Sequence, residues 1–493
     1  MLTLTMFSVI TRCLGFIYKI YTSKIMTTTD LGIYNLTLSI YMVLITIVGS
    51  SIPLTISKIT ANNIATSNTN KTKYSVTSSL LLTTSISIVL SLLVLISKPL
   101  ITLIIGDPLG YTTIVYLIPS VIFTAIYSQI RGYLWGIENY FSVSLVELIE
   151  QILRILFCII FIYLDIFSNP IISVSLALSI ACGISTIIGI YYYLKNGGKF
   201  KYKNGYYKEI IKSALPLTSV RLIGSIINPL ISIIIPIQLT QMGLTRDSAL
   251  SELGIITGMT LPLISIPSTI IGALCMILIP RINASKKDLH LQLNYYIKFT
   301  IACVFIFIPT FIALGIPICE FIFNNYSAGL YLQQCCIIAL PIGLAQITTS
   351  ILNALNEEKK SFLYYIISNG FMLISILFLT KLFYIKAMPY TLGISSFILF
   401  TLNLRKIKKI TGYKSSIFKE CFYHVLLCLP ILVLTKILFS TLTMFLNLFL
   451  SLIFCSFVSV IFYLIIMVVF RVVDPKIIKN YIFKNKQKLK INN

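Results

Sequence analysis

The chain has 493 residues, of which 57% are hydrophobic and 11% charged, and its mean hydropathy is +0.94. About a quarter of the residues in a soluble domain are charged, so this composition excludes a soluble globular protein. The formal net charge of +24 does not indicate nucleic-acid binding, because the cations are distributed among loops that separate apolar segments.

Apolar runs of about 20 residues recur along the chain, and each is long enough to cross a hydrocarbon core of roughly 30 Å as a helix. We count about fourteen runs and predict an all-α polytopic membrane protein. We expect the first run to be a span and not a cleavable signal, because no basic leader precedes it.

The cations collect in alternate loops. With fourteen spans, six of the 39 Lys and Arg lie in one set of loops and five within spans, whereas the other 28 lie in the opposite loops and the tail. This bias predicts an orientation with both termini in the cytoplasm. We expect the lysine-rich tail to attract anionic lipid headgroups.

The first predicted span carries Arg12 and Lys19 on one polar face. A charge near the bilayer centre costs several kcal/mol, so such residues usually face a bundle interior or a wet cavity. We therefore predict that Arg12 and Lys19 line a cavity that binds an anion. In the alternative interpretation Lys19 extends to the membrane interface and Arg12 pairs with a neighbouring helix.

The fifth predicted span places Glu147, Glu150, Gln151 and Arg154 on one helical face. Glu150 and Arg154 have the spacing of a stabilising ion pair within a helix. A structural role is one interpretation. The other is that the carboxylates bind a coupling Na⁺ or H⁺, or hold an arginine in place.

The seventh predicted span carries Arg221 and Asn228 on a polar stripe, and Pro216 precedes them. The eighth span is interrupted by Pro262 and Pro267, which permit bending where neighbouring helices or water satisfy the freed carbonyls. We predict that Arg221 and Asn228 line the cavity and that the three prolines act as hinges. A kinked helix packed through small residues is the alternative.

Two short motifs recur in the same order. R-x-[LI]-G occurs at residues 12–15 and 221–224, and Leu-Gly-Ile occurs at residues 31–33 and 253–255, with offsets of 209 and 222 residues. This pattern favours two parallel six-span repeats, so that Arg12 and Arg221 would face each other across one cavity. The predicted domains are a six-helix lobe at 1–195, a basic cytoplasmic linker at 196–209, a second six-helix lobe at 210–410, two further spans at 411–471 and a basic cytoplasmic tail at 472–493.

The residues of common enzyme and metal sites are sparse. The 11 cysteines form no C-x-x-C motif, and the only histidines, His290 and His424, are far apart in the sequence. A phosphate-binding loop is also missing, because Gly197-Gly198-Lys199 is followed by Phe200. We therefore expect no bound metal, no organic cofactor and no nucleotide hydrolysis.

Several segments resemble the stage V sporulation protein B group of the polysaccharide-transporter family. They are residues 11–16, 31–34, 52–58, 131–133, 149–154, 214–217, 221–222 and 257–267. The family belongs to the superfamily of MATE-type multidrug exporters and murein precursor flippases. The resemblance implies two six-helix lobes around a central cavity, with alternating access. It also implies that cations of the first and later spans bind the diphosphate of an undecaprenyl-linked precursor, and Arg12 and Arg221 stand on matching motifs.

The favoured hypothesis is a monomeric flippase that moves an undecaprenyl-diphosphate-linked glycan to the outer leaflet. The cargo would resemble lipid II, with a precursor of spore cortex peptidoglycan as one candidate. The excess of intramembrane cations over carboxylates suits an anionic headgroup. The alternative is a cation-coupled MATE-type antiporter, which would use Glu147 or Glu150. An enzyme is disfavoured because the outer loops are too short for a catalytic constellation.

Overall fold

A computed structural model describes residues 2–66, 68–203, 205–284, 289–413 and 417–469. Over these residues the chain is helical and contains no β-strand, as predicted. The helices are α1 (Leu2–Ile25), α2 (Thr28–Gly49), α3 (Ile52–Ala65), α4 (Thr69–Ile96), α5 (Lys98–Ile105), α6 (Pro108–Gly136), α7 (Tyr140–Tyr163), α8 (Pro170–Lys195), α9 (Tyr206–Gln241), α10 (Arg246–Gly254), a π-helical segment (Ile255–Thr260), α11 (Leu261–Ile264), α12 (Ile266–Ala284), α13 (Leu289–Phe323), α14 (Tyr326–Cys335), α15 (Ala339–Ala354), α16 (Glu358–Phe383), α17 (Ala387–Thr411), α18 (Ile417–Leu442) and α19 (Leu448–Val469).

Short polar side chains begin many of these helices. Asp107 accepts a hydrogen bond from the backbone N–H of Leu109 at 2.6 Å, and Pro108 follows at the first helical position of α6. Asn139 caps α7 in the same way by accepting from the Ser142 N–H at 3.2 Å. Such caps satisfy backbone donors that have no partner within the helix, so they define where each apolar run becomes helical.

Ten helical segments of the described chain are long and apolar enough to cross a membrane, and the count is eleven if the bent segment from α10 to α12 is included. Some of these segments join neighbouring helices, such as α2 with α3 and α16 with α17. The multi-pass membrane architecture is confirmed, whereas the count of fourteen spans stays a prediction. Helix α7 is not among the ten, and it carries three charged residues within its length.

The chain divides into two compact units. The first comprises Met1–Met259 and Asn369–Met388, and the second comprises Thr260–Ser368 and Pro389–Asn493. Helices α9 and α10 belong to the first unit because both pack against α2. The first part of this unit therefore extends to Met259 and includes the segment at 196–209 that was predicted as a linker. The assignment of residues 1–195 and 210–410 to two repeated lobes stays a prediction.

In the first unit α6 packs against α2, α3, α4 and α8. Small residues allow these helices to approach closely: a Cβ atom at Gly132 would lie 2.5 Å from the Pro53 carbonyl oxygen. Ser179 on α8 donates a hydrogen bond to the carbonyl of Tyr116 on α6 at 2.5 Å. Close backbone contact and hydrogen bonds between helices are the usual stabilising features of membrane bundles.

In the second unit α13 packs against α14, α15, α18 and α19. Lys298 on α13 pairs with Glu420 on α18 at 2.6 Å, and the His424 ring nitrogen Nδ1 lies 2.6 Å from the Tyr463 hydroxyl on α19. These contacts join α18 to α13 and α19 to α18, and both helices fall within the two final spans predicted at 411–471.

Candidate functional site

Helix α1 has an exposed side that carries its cations and a buried side. Arg12 and Lys19 are exposed, whereas Tyr18 is buried. Helix α1 packs against α7, where a Cβ atom at Gly15 would lie 3.8 Å from the Gln151 amide nitrogen. Arg12 and Lys19 thus lie on the exposed side of a helix that is fixed to α7, and their role in a cavity stays a prediction.

The carboxylate of Glu150 is held by three side chains. Arg154 binds it at 2.7 Å, the Ser185 hydroxyl donates to it at 3.4 Å, and the Cys182 sulfur lies 3.8 Å away. The Arg154 guanidinium also lies over the Tyr18 ring, 6.0 Å from its centroid. Residues of α1, α7 and α8 therefore meet at one ion pair. This geometry favours the structural interpretation of Glu150 and Arg154.

Glu147 also has a partner, on α6. Arg131 binds its carboxylate at 3.3 Å, and the Arg131 guanidinium lies 4.9 Å from the centroid of the Trp135 ring. The cluster predicted from the sequence contains Glu147 and Glu150 but not Arg131. The sequence does contain an indication of this ion pair. Arg131 and Glu147 have opposite charges, and they lie at equal sequence distances from Asn139, which caps α7.

Breaking the Glu150–Arg154 pair should destabilise the protein. We expect Glu150→Gln or Arg154→Gln to lower the free energy of unfolding by about 1–3 kcal/mol, because each leaves a largely buried charge without its partner. The double variant should lose less than the sum of the single losses. Thermal unfolding of the two single variants and the double variant in detergent measures these losses.

Glu147→Gln is the matched control, because the Glu147 side chain is 42% exposed. Exposed pairs contribute about 0–1 kcal/mol, so this variant should lose less stability than Glu150→Gln. If Glu150→Gln were as stable as the parent chain and instead lost a dependence on Na⁺ or pH, the carboxylate would be a coupling site.

Arg221 contacts a break in the neighbouring span. It lies exposed on α9, and its guanidinium donates a hydrogen bond to the carbonyl of Ser50, between the end of α2 and the start of α3. Pro53 follows in the first turn of α3 and cannot donate a backbone hydrogen bond. A guanidinium has five N–H donors, so Arg221 can hold this carbonyl and still present donors to an anion.

The other predicted site residues are placed as follows. Asn228 is exposed on α9, two turns beyond Arg221. The side chain of Pro216 lies outside the described residues, although its backbone is part of α9. Pro262 lies in the first turn of α11, and the chain bends between Ile264 and Ile266, immediately before Pro267. The bend thus lies between Pro262 and Pro267, and the role of these prolines as hinges stays a prediction.

The two Leu-Gly-Ile motifs contact each other. A Cβ atom at Gly32 on α2 would lie 1.9 Å from the Leu250 carbonyl oxygen, and one at Gly254 on α10 would lie 2.1 Å from the Thr28 carbonyl oxygen. The hydroxyls of Ser251 and Thr28 are hydrogen-bonded at 2.7 Å beside this crossing. Only glycine at both positions permits this approach of two backbones. Both motifs are evident in the sequence, but their contact is not.

A second contact lies near the start of α10. Arg246 Nη2 donates to the carbonyls of Ile104 at 3.2 Å and Ile105 at 2.5 Å, at the C-terminal end of α5. Arginine at a helix C-terminus is favourable because it binds unpaired carbonyls and complements the helix dipole. The α2–α10 crossing is therefore accompanied by a contact between α10 and α5.

Comparisons with known proteins agree with this architecture. Residues 1–286 match the family described as polysaccharide biosynthesis protein. Stage V sporulation protein B of Bacillus subtilis (strain 168) is 24% identical over 300 residues, and the aligned part covers 58% of each chain. The chain thus spans less than two thirds of that relative.

Two solved structures show the fold. The lipid II flippase MurJ in its inward closed conformation superposes with a TM-score of 0.72 at 16% identity, covering 95% of this chain and 99% of that one. An inward-facing multidrug resistance MATE transporter of the MOP superfamily gives 0.63 at 14% identity, covering 82% and 96%. The all-α fold shared by MurJ and MATE transporters is confirmed, and the family match covers more than half of the sequence. The chain belongs to the family of polysaccharide biosynthesis proteins.

Proposed function

We propose that this chain is a flippase that moves an anionic lipid-linked glycan precursor from the inner to the outer leaflet of a bacterial plasma membrane. The observation that carries the proposal is the exposure of three cations within the predicted spans. Arg12, Lys19 and Arg221 are exposed on their helices. Glu147 and Glu150 are neutralised by ion pairs with Arg131 and Arg154. Exposed cations within the spans suit an anionic ligand.

The phosphate chemistry follows from the residue types. Arginine offers planar, permanently charged donors that match phosphate oxygens and can bind two of them at once. Arg12 and Arg221 would bind a diphosphate, with Lys19 and Asn228 as further polar contacts. The relative and the solved flippase are named for sporulation and for lipid II, so we propose an undecaprenyl-diphosphate-linked peptidoglycan precursor as the cargo. A precursor of the spore cortex is the specific candidate.

No catalytic step is assigned to the chain. A membrane potential negative inside favours outward movement of negative charge by about 2.3 kcal/mol per charge per 100 mV. The potential could therefore drive a headgroup with two charges without nucleotide hydrolysis, and a gradient of Na⁺ or H⁺ is the other possible driving force. We further propose a monomer with both termini in the cytoplasm, and a tail at 472–493 that associates with anionic headgroups.

The second candidate is a cation-coupled multidrug antiporter, and the fold shared with MATE transporters is the observation that favours it. Such an antiporter needs a carboxylate that exchanges its proton or Na⁺ during the cycle. Glu147 and Glu150 are the carboxylates that the sequence offers, and both are bound to arginines. We therefore rank the flippase first.

Binding to purified protein separates the two candidates. We expect undecaprenyl-diphosphate-linked sugar to bind more tightly than undecaprenyl monophosphate, and uncharged undecaprenol to bind most weakly. Native mass spectrometry of the detergent-solubilised protein measures the three affinities. Equal binding of the diphosphate and the alcohol would contradict the proposal. Drug-dependent Na⁺ or H⁺ flux that is lost in Glu147→Gln or Glu150→Gln would support the antiporter.

A further inference from the structure

The loop between α8 and α9 is rich in lysine and is held in place by its neighbours. We define the lysine loop as residues 195–203. The Tyr133 hydroxyl donates to the Asn196 carbonyl at 2.9 Å, and the Tyr193 hydroxyl donates to the Lys199 carbonyl at 3.0 Å. The Lys201 backbone N–H donates to the Thr77 hydroxyl at 3.0 Å. Helices α4, α6 and α8 therefore fix the path of this loop.

Two glycines allow the loop to turn after α8. Gly197 has φ +82°, a conformation that favours glycine. At Gly198 a Cβ atom would lie 2.5 Å from the Tyr193 ring. The chain then passes directly over Tyr193, and the Phe200 ring packs against it at a centroid distance of 5.1 Å. The loop is thus a defined surface.

Lysines and aromatic residues alternate along the second half of the loop. Lys199, Lys201 and Lys203 are all exposed, and Phe200 and Tyr202 between them are 50% and 57% exposed. Residues 199–203 have no helical structure, and three of these five residues are exposed cations. No Asp or Glu occurs from Lys195 to Lys208, so the segment itself provides no counter-charge.

The position of the loop indicates its partner. It lies where the apolar helices α6 and α8 end and α9 begins, and the Tyr74 ring of α4 packs against the Tyr206 ring of α9 at 5.6 Å. Tyrosine and tryptophan concentrate at the membrane–water interface, and Trp135 lies near the end of α6. An acidic soluble partner would account for the lysines. A lipid interface accounts for both the lysines and the exposed aromatic rings, because such rings are favourable among headgroups.

We propose that the lysine loop binds anionic phospholipid headgroups and thereby fixes the connection between α8 and α9 to the bilayer surface. Basic clusters next to a membrane span attract anionic lipid with about 1 kcal/mol per cation, which is about a fivefold change in affinity. The lysine loop contains none of the proposed substrate-binding residues Arg12, Lys19 and Arg221, so the inference does not require the proposed flippase activity.

Fluorescence of Trp135, the single tryptophan of the chain, provides the test. Trp135 packs against the core cluster that contains Tyr193, so it reports on lipid near the loop. The protein is placed in nanodiscs of phosphatidylcholine that contain increasing fractions of brominated phosphatidylglycerol. We expect quenching to saturate at a low fraction of this lipid, and brominated phosphatidylcholine to quench more weakly at the same fraction.

Charge-removing variants complete the test. Lys201→Gln should raise the half-quenching fraction of phosphatidylglycerol about fivefold, and the triple variant with Lys199→Gln and Lys203→Gln should abolish saturation. The matched control removes three exposed lysines of other regions by Lys98→Gln, Lys381→Gln and Lys436→Gln, and should behave like the parent chain.

Three results would overturn the inference. One is equal quenching by the two brominated lipids in the parent chain. Another is unchanged quenching in Lys201→Gln and in the triple variant. The third is that, in nanodiscs without anionic lipid, polyglutamate binds the loop as tightly as phosphatidylglycerol does. This result would assign the surface to a soluble acidic partner.

Discussion

Replacing Arg12 or Arg221 with alanine should slow transbilayer movement of an undecaprenyl-diphosphate-linked sugar by about 10- to 100-fold. A hydrogen bond to a charged group contributes about 1.5–3 kcal/mol, and each factor of ten corresponds to about 1.4 kcal/mol. The measurement is a proteoliposome assay in which an impermeant reductant destroys the fluorescence of substrate in the outer leaflet. Lys19→Ala and Asn228→Ala should have smaller effects.

Arg405→Ala is the matched control, because Arg405 is exposed near the end of α17 and has no proposed contact with substrate. The transport rate of Arg221→Ala must be corrected for lost stability. The Arg221 side chain also binds the Ser50 carbonyl, so this variant should unfold at a lower temperature. Rates are therefore normalised to the folded fraction. If the normalised rates of both arginine variants matched that of Arg405→Ala, neither arginine would bind the headgroup.

Alanine at Gly32 or Gly254 should be the most destabilising single-methyl change in the first unit. The added Cβ would lie within 1.9 Å or 2.1 Å of a backbone carbonyl oxygen, so α2 and α10 would have to separate. Overpacking costs about 1–3 kcal/mol and sometimes more. We expect a lower unfolding temperature and more than a tenfold loss of transport in each variant.

Gly370→Ala provides the control, because a Cβ atom at this position in α16 meets no atom within 4 Å. Alanine is favoured over glycine in a helix by roughly 0.5–1 kcal/mol, so this variant should be at least as stable as the parent chain. A single movement of α2 away from α10 would make room for both new methyl groups. The double variant Gly32→Ala with Gly254→Ala should therefore cost less than the sum of the single variants, whereas strictly additive losses would show that the two positions act independently.

The sequence was sufficient for the elements of the fold. Apolar runs of about 20 residues predicted an all-α membrane protein, and the described residues form helices of that kind. The i, i+4 spacing of Glu150 and Arg154 also predicted an ion pair that the structure contains. These features are local, and helical geometry alone determines them.

Long-range contacts were not predictable in the same way. The bond from Arg221 to Ser50 and the pair of Arg131 with Glu147 depend on which helices become neighbours, and a single sequence does not contain that information. The contact between Gly32 and Gly254 shows the same limit. Both motifs were recognised as repeats, but repetition does not indicate that the two copies touch.

The central claim is that the chain moves an anionic lipid-linked glycan across the bilayer. Reconstitution into liposomes with an imposed potassium diffusion potential tests it most directly. We predict protein-dependent movement of undecaprenyl-diphosphate-linked sugar toward the positive side, faster as the potential increases, and little movement of a lipid-linked sugar without phosphate. No protein-dependent movement of the diphosphate, or equal movement of the uncharged lipid, would contradict the account.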